Sequence, residues 1–188
     1  MNCFVKSTHR LYFSYGSNMN PEQMKSRCAT NEVIAVARLA DHGLGFFGYS
    51  GIWDGGQAAV TRSPGEELWG VVYKLPLAGA DNLDSWQDVR LDGTGQYFLY
   101  PTDVVDTNGL THQVLMYKKD IHGEPVSPSE GYLNYIVAGA SFHHLPASYI
   151  EKLKHIPTKK ASFPVPKKTG YDPSVFSFSC DMCESDED

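Results

Sequence analysis

Residues 11–28, LYFSYGSNMNPEQMKSRC, decide how the chain is read. The apolar and aromatic run over 11–15 predicts a buried strand. Tyr15-Gly16-Ser17-Asn18 interrupts it, and Pro21 suits the first position of a helix, where its missing N–H costs nothing. Asn20 is the natural N-cap, so a short helix is expected through about residue 28. A strand that turns this tightly into a helix gathers backbone N–H groups at one point, where they can hold an anion or a developing oxyanion. Gly16 permits a positive φ and close approach of a ligand, and Ser17 and Asn18 add side-chain donors. By itself the pattern is weak, because capped strand-to-helix turns occur throughout α/β proteins.

Outward from this stretch, EVIAVARLADHGLGFFG (32–48) reads as one long or bulged strand. GGQAAVTRSPGEELWGVVYKL (55–75) reads as two strands joined at Ser63-Pro64-Gly65. ADNLDSWQDV (80–89) is a short helix. GQYFLYPTDVV and THQVLMYKK form an antiparallel pair around Asn108-Gly109, and the segments 128–144 and 146–156 are helical. The expectation is an α+β fold of five or six strands with helices attached at intervals, rather than alternating βαβ units.

The 188 residues suffice for one sizeable core, so a single domain over 1–157 is expected. After Pro157 the texture changes: 158–188 is proline-containing, lacks helical period and ends in an acidic run, which reads as an extended tail. Its Phe163, Val165, Tyr171, Phe176 and Phe178 are apolar enough to dock on the body or on a partner. A formal net charge of −6 with no basic cluster argues against nucleic acid or an anionic membrane as partner. No apolar run spans a bilayer and no secretory signal is visible, so a cytoplasmic protein with reduced thiols is expected. The CDMC of Cys180–Cys183 is a lone C-x-x-C, read as two tail thiols.

Several separated segments resemble the γ-glutamylcyclotransferase family: YFSYGSNMN (12–20), WDGGQAAVTRSPGEELWGVVYKL (53–75), NLDSWQDV (82–89) followed by a Gly-rich turn and QYF, PSEGYLNYIVAGA (128–140) and LPASYIEKLKHI (145–156). The YGSN form is similar to the general branch rather than to the glutathione-specific or γ-glutamylamine branches. The resemblance implies a small mixed β-barrel with peripheral helices, no cofactor and no metal. It also implies a lyase of γ-glutamyl peptide and glutathione metabolism that releases 5-oxoproline from a small γ-glutamyl substrate. It leaves a homodimer open. It further implies that Tyr12, Phe13, Ser14, Tyr15, Gly16 and Ser17 form the substrate loop, with Gly16 and Ser17 as main-chain donors. Tyr132 matches the family's substrate-contacting tyrosine, although a tyrosine at a helix start can equally be there to pack on the barrel.

One position departs from the pattern. The family's Leu-Asp-x-x-Glu-Gly-Val puts Gln87 where the resemblance implies the proton-shuttling glutamate. An amide keeps the shape and reach of the carboxylate but takes up no proton near neutral pH, and loss of such a group costs about 10²- to 10⁴-fold in rate. Three explanations stand open. Gln87 is an isosteric inactivating exchange, or the chain is a natural pseudoenzyme acting as a binding or interaction protein, or the base has moved to Asp84 or Asp88. Of the last two, Asp84 shares a helix face with residue 87, whereas Asp88 should point about 100° away. A cyclotransferase for a specialised γ-glutamyl intermediate is a further enzymatic reading. His42, His143 and His144 lack the companions of a metal site, and Trp53, Trp69 and Trp86 read as core or pocket wall. No phosphate-binding glycine loop or nucleophile elbow is present.

Overall fold

The computed structural model describes residues 8–90, 92–120 and 123–168. Five strands close a barrel in the order β1-β3-β2-β4-β5: β1 (His9–Ser14), β2 (Glu32–Ser50), β3 (Gly55–Pro76), β4 (Phe98–Asp106) and β5 (Thr111–Lys118). All neighbours are antiparallel except β1 and β5, which meet in parallel at Tyr12 and Leu115 and close the barrel. Four helices lie around it: α1 (Pro21–Arg27), α2 (Leu77–Trp86), α3 (Glu130–Phe142) and α4 (Ala147–Lys154). This is the mixed barrel with peripheral helices that the sequence led us to expect.

The core follows from the alternation along the strands. Phe13, Val60, Leu68, Val71, Tyr73, Leu75 and Met116 are almost completely buried, and Leu83, Ile136 and Leu153 bring α2, α3 and α4 onto the same core. Each such side chain contributes about 1.5–3 kcal/mol by leaving water, which is why the helices stay docked although all are short.

The expected pair of strands at Ser63-Pro64-Gly65 is instead one strand, β3, with an irregularity. Residues Arg62 to Glu67 lie opposite only His42 to Ala40 of β2, so the extra residues bulge out. Asp41 takes a φ of 58° there and its Oδ1 accepts from Gly65 N–H at 2.8 Å, satisfying a backbone donor that the ladder leaves out. The β4–β5 turn has the chemistry predicted for it. Gly109 sits at a φ of 82°, and Asp106 Oδ1 accepts from Asn108 N–H and Leu110 N–H at 2.8 and 2.9 Å.

Residues 158–168, the described part of the predicted tail, lie against the barrel. Lys159 bridges to Ser129, and Val165 packs against Gly131, where a Cβ would come within 2.3 Å of it. Asp54 anchors the segment: it is buried, its Oδ1 accepts from Tyr49 Oη and Lys159 Nζ at 2.7 and 3.0 Å, and its Oδ2 accepts from Ser162 N–H at 2.6 Å. Lys167 N–H donates to Ile52 O at 2.8 Å, which brings the segment to the β2–β3 hairpin tip. Tyr171, Phe176, Phe178 and Cys180–Cys183 lie outside the described residues. Among the described residues no helix is long and apolar enough to cross a membrane.

Candidate active site

Four segments converge at one end of the barrel: the turn after β1, the β2–β3 hairpin tip, the turn after α2, and the first turn of α3. They enclose a cavity of about 450 Å³. Its lining includes Tyr12, Tyr15, Gly16, Ser17, Gln87 and Tyr132, which brings together six of the eight residues singled out in the sequence although they span 121 positions, from 12 to 132 inclusive. Phe13 and Ser14 do not reach it. Both are fully buried: the alternation of β1 sends Phe13 to the side opposite Tyr12, into the hydrophobic core, whereas Ser14 shares the side of Tyr12 but lies beneath the lining.

The turn after β1 forms as its sequence predicts. Asn20 Oδ1 accepts from Glu22 N–H and Gln23 N–H, and Pro21 opens α1. Residues Ser17–Met19 make a single 3-10 turn in which Gly16 O accepts from Met19 N–H and Ser17 O from Asn20 N–H, so the N–H groups of its first residues have no intrahelical partner. Gly16 differs from expectation: its φ is −117°, so the left-handed region is not what it supplies. Its value is the missing side chain, because it lines the cavity and a Cβ there would touch Ala58 at 3.5 Å. Gly139 of α3 presses on the far side of the turn. A Cβ on it would sit 2.5 Å from Asn20 N and Met19 C, so only glycine lets the helix back the turn this closely.

Arg27 is the residue that nothing in the sequence marks. A basic residue in the last turn of a short helix ordinarily complements the helix dipole in solvent. Here its guanidinium turns into the cavity wall, donates from Nη1 to Asn18 Oδ1 at 2.8 Å and lies 5.2 Å above the Trp86 ring. Burial lowers its pKa, and the groups whose charge acts on it are tyrosines. Among the described residues no carboxylate pairs with it. An enclosed cation without a counter-ion is costly, and an anionic occupant would offset that cost. Gln23, also on α1, ties the turn down by donating from Nε2 to Ser17 Oγ at 2.7 Å and Asn18 Oδ1 at 3.0 Å.

Five tyrosines line the walls. Tyr15 Oη donates to Tyr117 O, and Tyr97 Oη donates to Ala58 O at 2.8 Å, so these two hydroxyls serve the frame. Tyr132 Oη accepts from Ala58 N–H at 3.4 Å and Tyr12 Oη accepts from Asn18 Nδ2 at 3.1 Å, so both keep a proton to donate. Tyr132 is also a packing residue, with its ring 4.6 Å from Trp53 and edge-on to Phe46, so the two roles expected of it coexist. Burial raises the pKa of Tyr12, Tyr15, Tyr97, Tyr117 and Tyr132 above the ordinary phenol value, so all five stay neutral donors at physiological pH.

The turn after α2 carries the departure at position 87. Gln87 caps the helix and lines the cavity. The next two residues complete a Schellman turn: Asp88 N–H donates to Ser85 O at 3.1 Å and Val89 N–H to Asp84 O at 3.0 Å. Asp88 holds the left-handed position at a φ of 49°, where glycine is the usual residue and a non-glycine costs about 1 kcal/mol. It therefore does not continue the helix and point away, as the sequence suggested, but turns to line the cavity. Asp84 does the opposite. Both of its oxygens accept from Arg10 Nη1, at 2.7 and 2.8 Å, Oδ1 also accepts from Tyr117 Oη at 2.6 Å, and it is not part of the cavity lining.

Comparison with known proteins fits this arrangement. An AIG2-like family model matches residues 67–153. Proteins named Gamma-glutamylcyclotransferase from Homo sapiens and Mus musculus are each 35% identical over 150 residues, covering 78% of this chain and 78% of theirs. The chain belongs to the γ-glutamylcyclotransferase family. A solved structure titled Gamma-glutamyl cyclotransferase superposes with a TM-score of 0.77 at 33% identity, covering 84% of this chain and 93% of the other. The family accounts for the barrel. Trp53 and Trp86 are cavity wall and Trp69 packs against the core, whereas His143 Nε2 sits 3.0 Å from Tyr73 Oη. Among the described residues no group of three or more histidine, cysteine or acidic side chains could hold a metal.

Proposed function

We propose that the cavity binds γ-glutamyl amino acids or conjugates and that the chain converts them by intramolecular cyclotransfer to 5-oxoproline and a free amine, at a rate held down by Gln87. The observation that carries this reading is the guanidinium of Arg27, which no carboxylate among the described residues pairs with, beside the donor-rich turn of Tyr15–Ser17. A substrate with a free α-carboxylate supplies the missing counter-ion, and a γ-carbonyl that becomes an oxyanion suits the N–H groups and neutral phenols around it.

The chemistry asks little more of the protein. The nucleophile is the substrate's own α-amine, already tethered to the carbonyl it attacks, so folding the chain into a near-attack geometry supplies much of the acceleration. The ammonium gives up a proton, nitrogen bonds to the γ-carbon, and the carbonyl oxygen takes the negative charge. Collapse of that intermediate breaks the original amide bond, and the departing nitrogen takes a proton. Tyr132 and Tyr12 have the free hydroxyl protons to steady the oxyanion. Gln87 can orient the ammonium through its carbonyl oxygen but cannot remove the proton.

The test is 5-oxoproline release from a γ-glutamyl dipeptide, together with calorimetric binding of the same compound. Binding by the unaltered chain and a gain in kcat on Gln87→Glu are expected, at most about 10²- to 10⁴-fold and less to the extent that another group already accepts the proton. Since the new glutamate acts as base, kcat/KM of that variant rises with pH as its carboxyl ionises. Absence of binding removes the reading. Binding without turnover in either form favours a second reading, a silent binding protein on this fold, which the lack of a proton acceptor at position 87 supports.

A further inference from the structure

The turn after α2 offers a different residue for the proton. Asp88 is the one carboxylate among the described residues that line the cavity. It adjoins Gln87, and the Schellman geometry that gives it a positive φ is what swings it from the helix face toward the site. Glycine would satisfy that backbone without strain, so the aspartate is retained at a conformational cost. The other candidates are excluded one by one. Asp84 is held by Arg10 and Tyr117 away from the cavity, the five phenols are neutral, and Arg27 and Lys167 are cations.

We propose that Asp88 is the catalytic base of this chain, a proton acceptor displaced by one residue from the position that Gln87 occupies. This rests on the cyclotransfer reading above. The Asp88 carboxylate takes one proton from the substrate's α-ammonium, and the freed amine forms the new bond to the γ-carbon. When the oxyanion collapses and the amide C–N bond breaks, that proton passes to the departing nitrogen; the second proton shed by the ring nitrogen follows by way of the carboxylate to the released amine, which leaves as an ammonium, and the carboxylate is regenerated. No other reactant is needed. Arg90 Nε donates to Asp88 Oδ1 at 2.8 Å, which engages that oxygen and leaves Oδ2 without this partner.

Asp88→Asn is a conservative perturbation, because asparagine tolerates the left-handed backbone as well as aspartate does; it loses the charge that pairs with Arg90 and the ability to take up a proton, and the second background separates the two effects. The experiment is a double-mutant cycle on kcat for 5-oxoproline release, with Asp88→Asn made in the unaltered chain and in Gln87→Glu, and dipeptide affinity measured in all four forms. In the unaltered chain Asp88→Asn is expected to lower kcat by about 10²-fold or more with affinity retained, and in the Gln87→Glu background by about 3-fold or less. Equal losses in both backgrounds would show that Asp88 only shapes the turn and would overturn the proposal. So would undiminished turnover in Asp88→Asn, or a chain that binds the dipeptide but has no turnover for Asp88 to support. Failure to bind the dipeptide at all would instead refute the underlying function, which separates the two failures.

Discussion

Replacing Arg27 with methionine separates binding from stability, and the structure sets the sign of each effect. The guanidinium has one hydrogen bond, to Asn18 Oδ1, and one aromatic contact, with Trp86. Removing them costs about 1 kcal/mol and about 0.5–1 kcal/mol respectively. Asn18 Oδ1 is not orphaned, because Gln23 Nε2 still donates to it at 3.0 Å. Against these losses stands relief of a guanidinium that, among the described residues, no carboxylate contacts, and methionine fills nearly the same stem volume. The two sides offset, so unfolding free energy should change by no more than about 1 kcal/mol. Binding behaves differently. A charge-assisted hydrogen bond to a substrate carboxylate is worth about 1.5–3 kcal/mol, so affinity for a γ-glutamyl dipeptide should fall about 10- to 150-fold. Calorimetric titration and urea unfolding of both forms measure the two quantities. Undiminished affinity would refute the assignment of Arg27 to the ligand. A loss of stability above about 3 kcal/mol would show that the guanidinium is a structural strut.

Two further outcomes are expected. Gly16→Val should weaken dipeptide binding by about 10-fold or more while costing no more than about 2 kcal/mol of stability, because the new side chain meets Ala58 only at contact distance and otherwise projects into the cavity; titration and thermal unfolding check both. Asp54→Asn should loosen residues 158–168. The hydrogen bonds from Ser162 N–H, Tyr49 and Lys159 hold the Asp54 carboxyl far below its ordinary value, so its contribution is fully present above the unfolded pKa of about 3.9. That contribution fades as pH falls toward the depressed folded value. The Tm gap between the two proteins should therefore be constant near neutrality and narrow below about pH 4; a gap that stays constant into acid would contradict the assigned role.

Much of the architecture is local chemistry and could be read directly. Asn20 before Pro21 sets the start of α1, and Gly109 with Asp106 sets the β4–β5 turn. Alternating apolar residues set which side of each strand is buried. Gly16 and Ser17 are legible from the turn they make, and Tyr12, Tyr15, Gln87 and Tyr132 from the resemblance to the family. Other features depend on partners distant in sequence, and no window of residues contains them. Arg27 looks like any basic helix end until α1 docks and turns it into the cavity. Asp84 and Asp88 are chemically alike and four residues apart. Only the tertiary structure separates them, by giving Asp84 the guanidinium of Arg10 and the hydroxyl of Tyr117, and by bending the backbone at Asp88 through a left-handed residue. The bulge at Ser63–Gly65 differs from the local expectation for the same reason: Pro64-Gly65 is good turn chemistry, but pairing of β3 with β2 on both sides outweighs it. Sequence determined which residues could carry the chemistry, because residue type and spacing limit what each can donate or accept. The fold decided which of them face the cavity, because enclosure and long-range pairing are set only when the barrel closes.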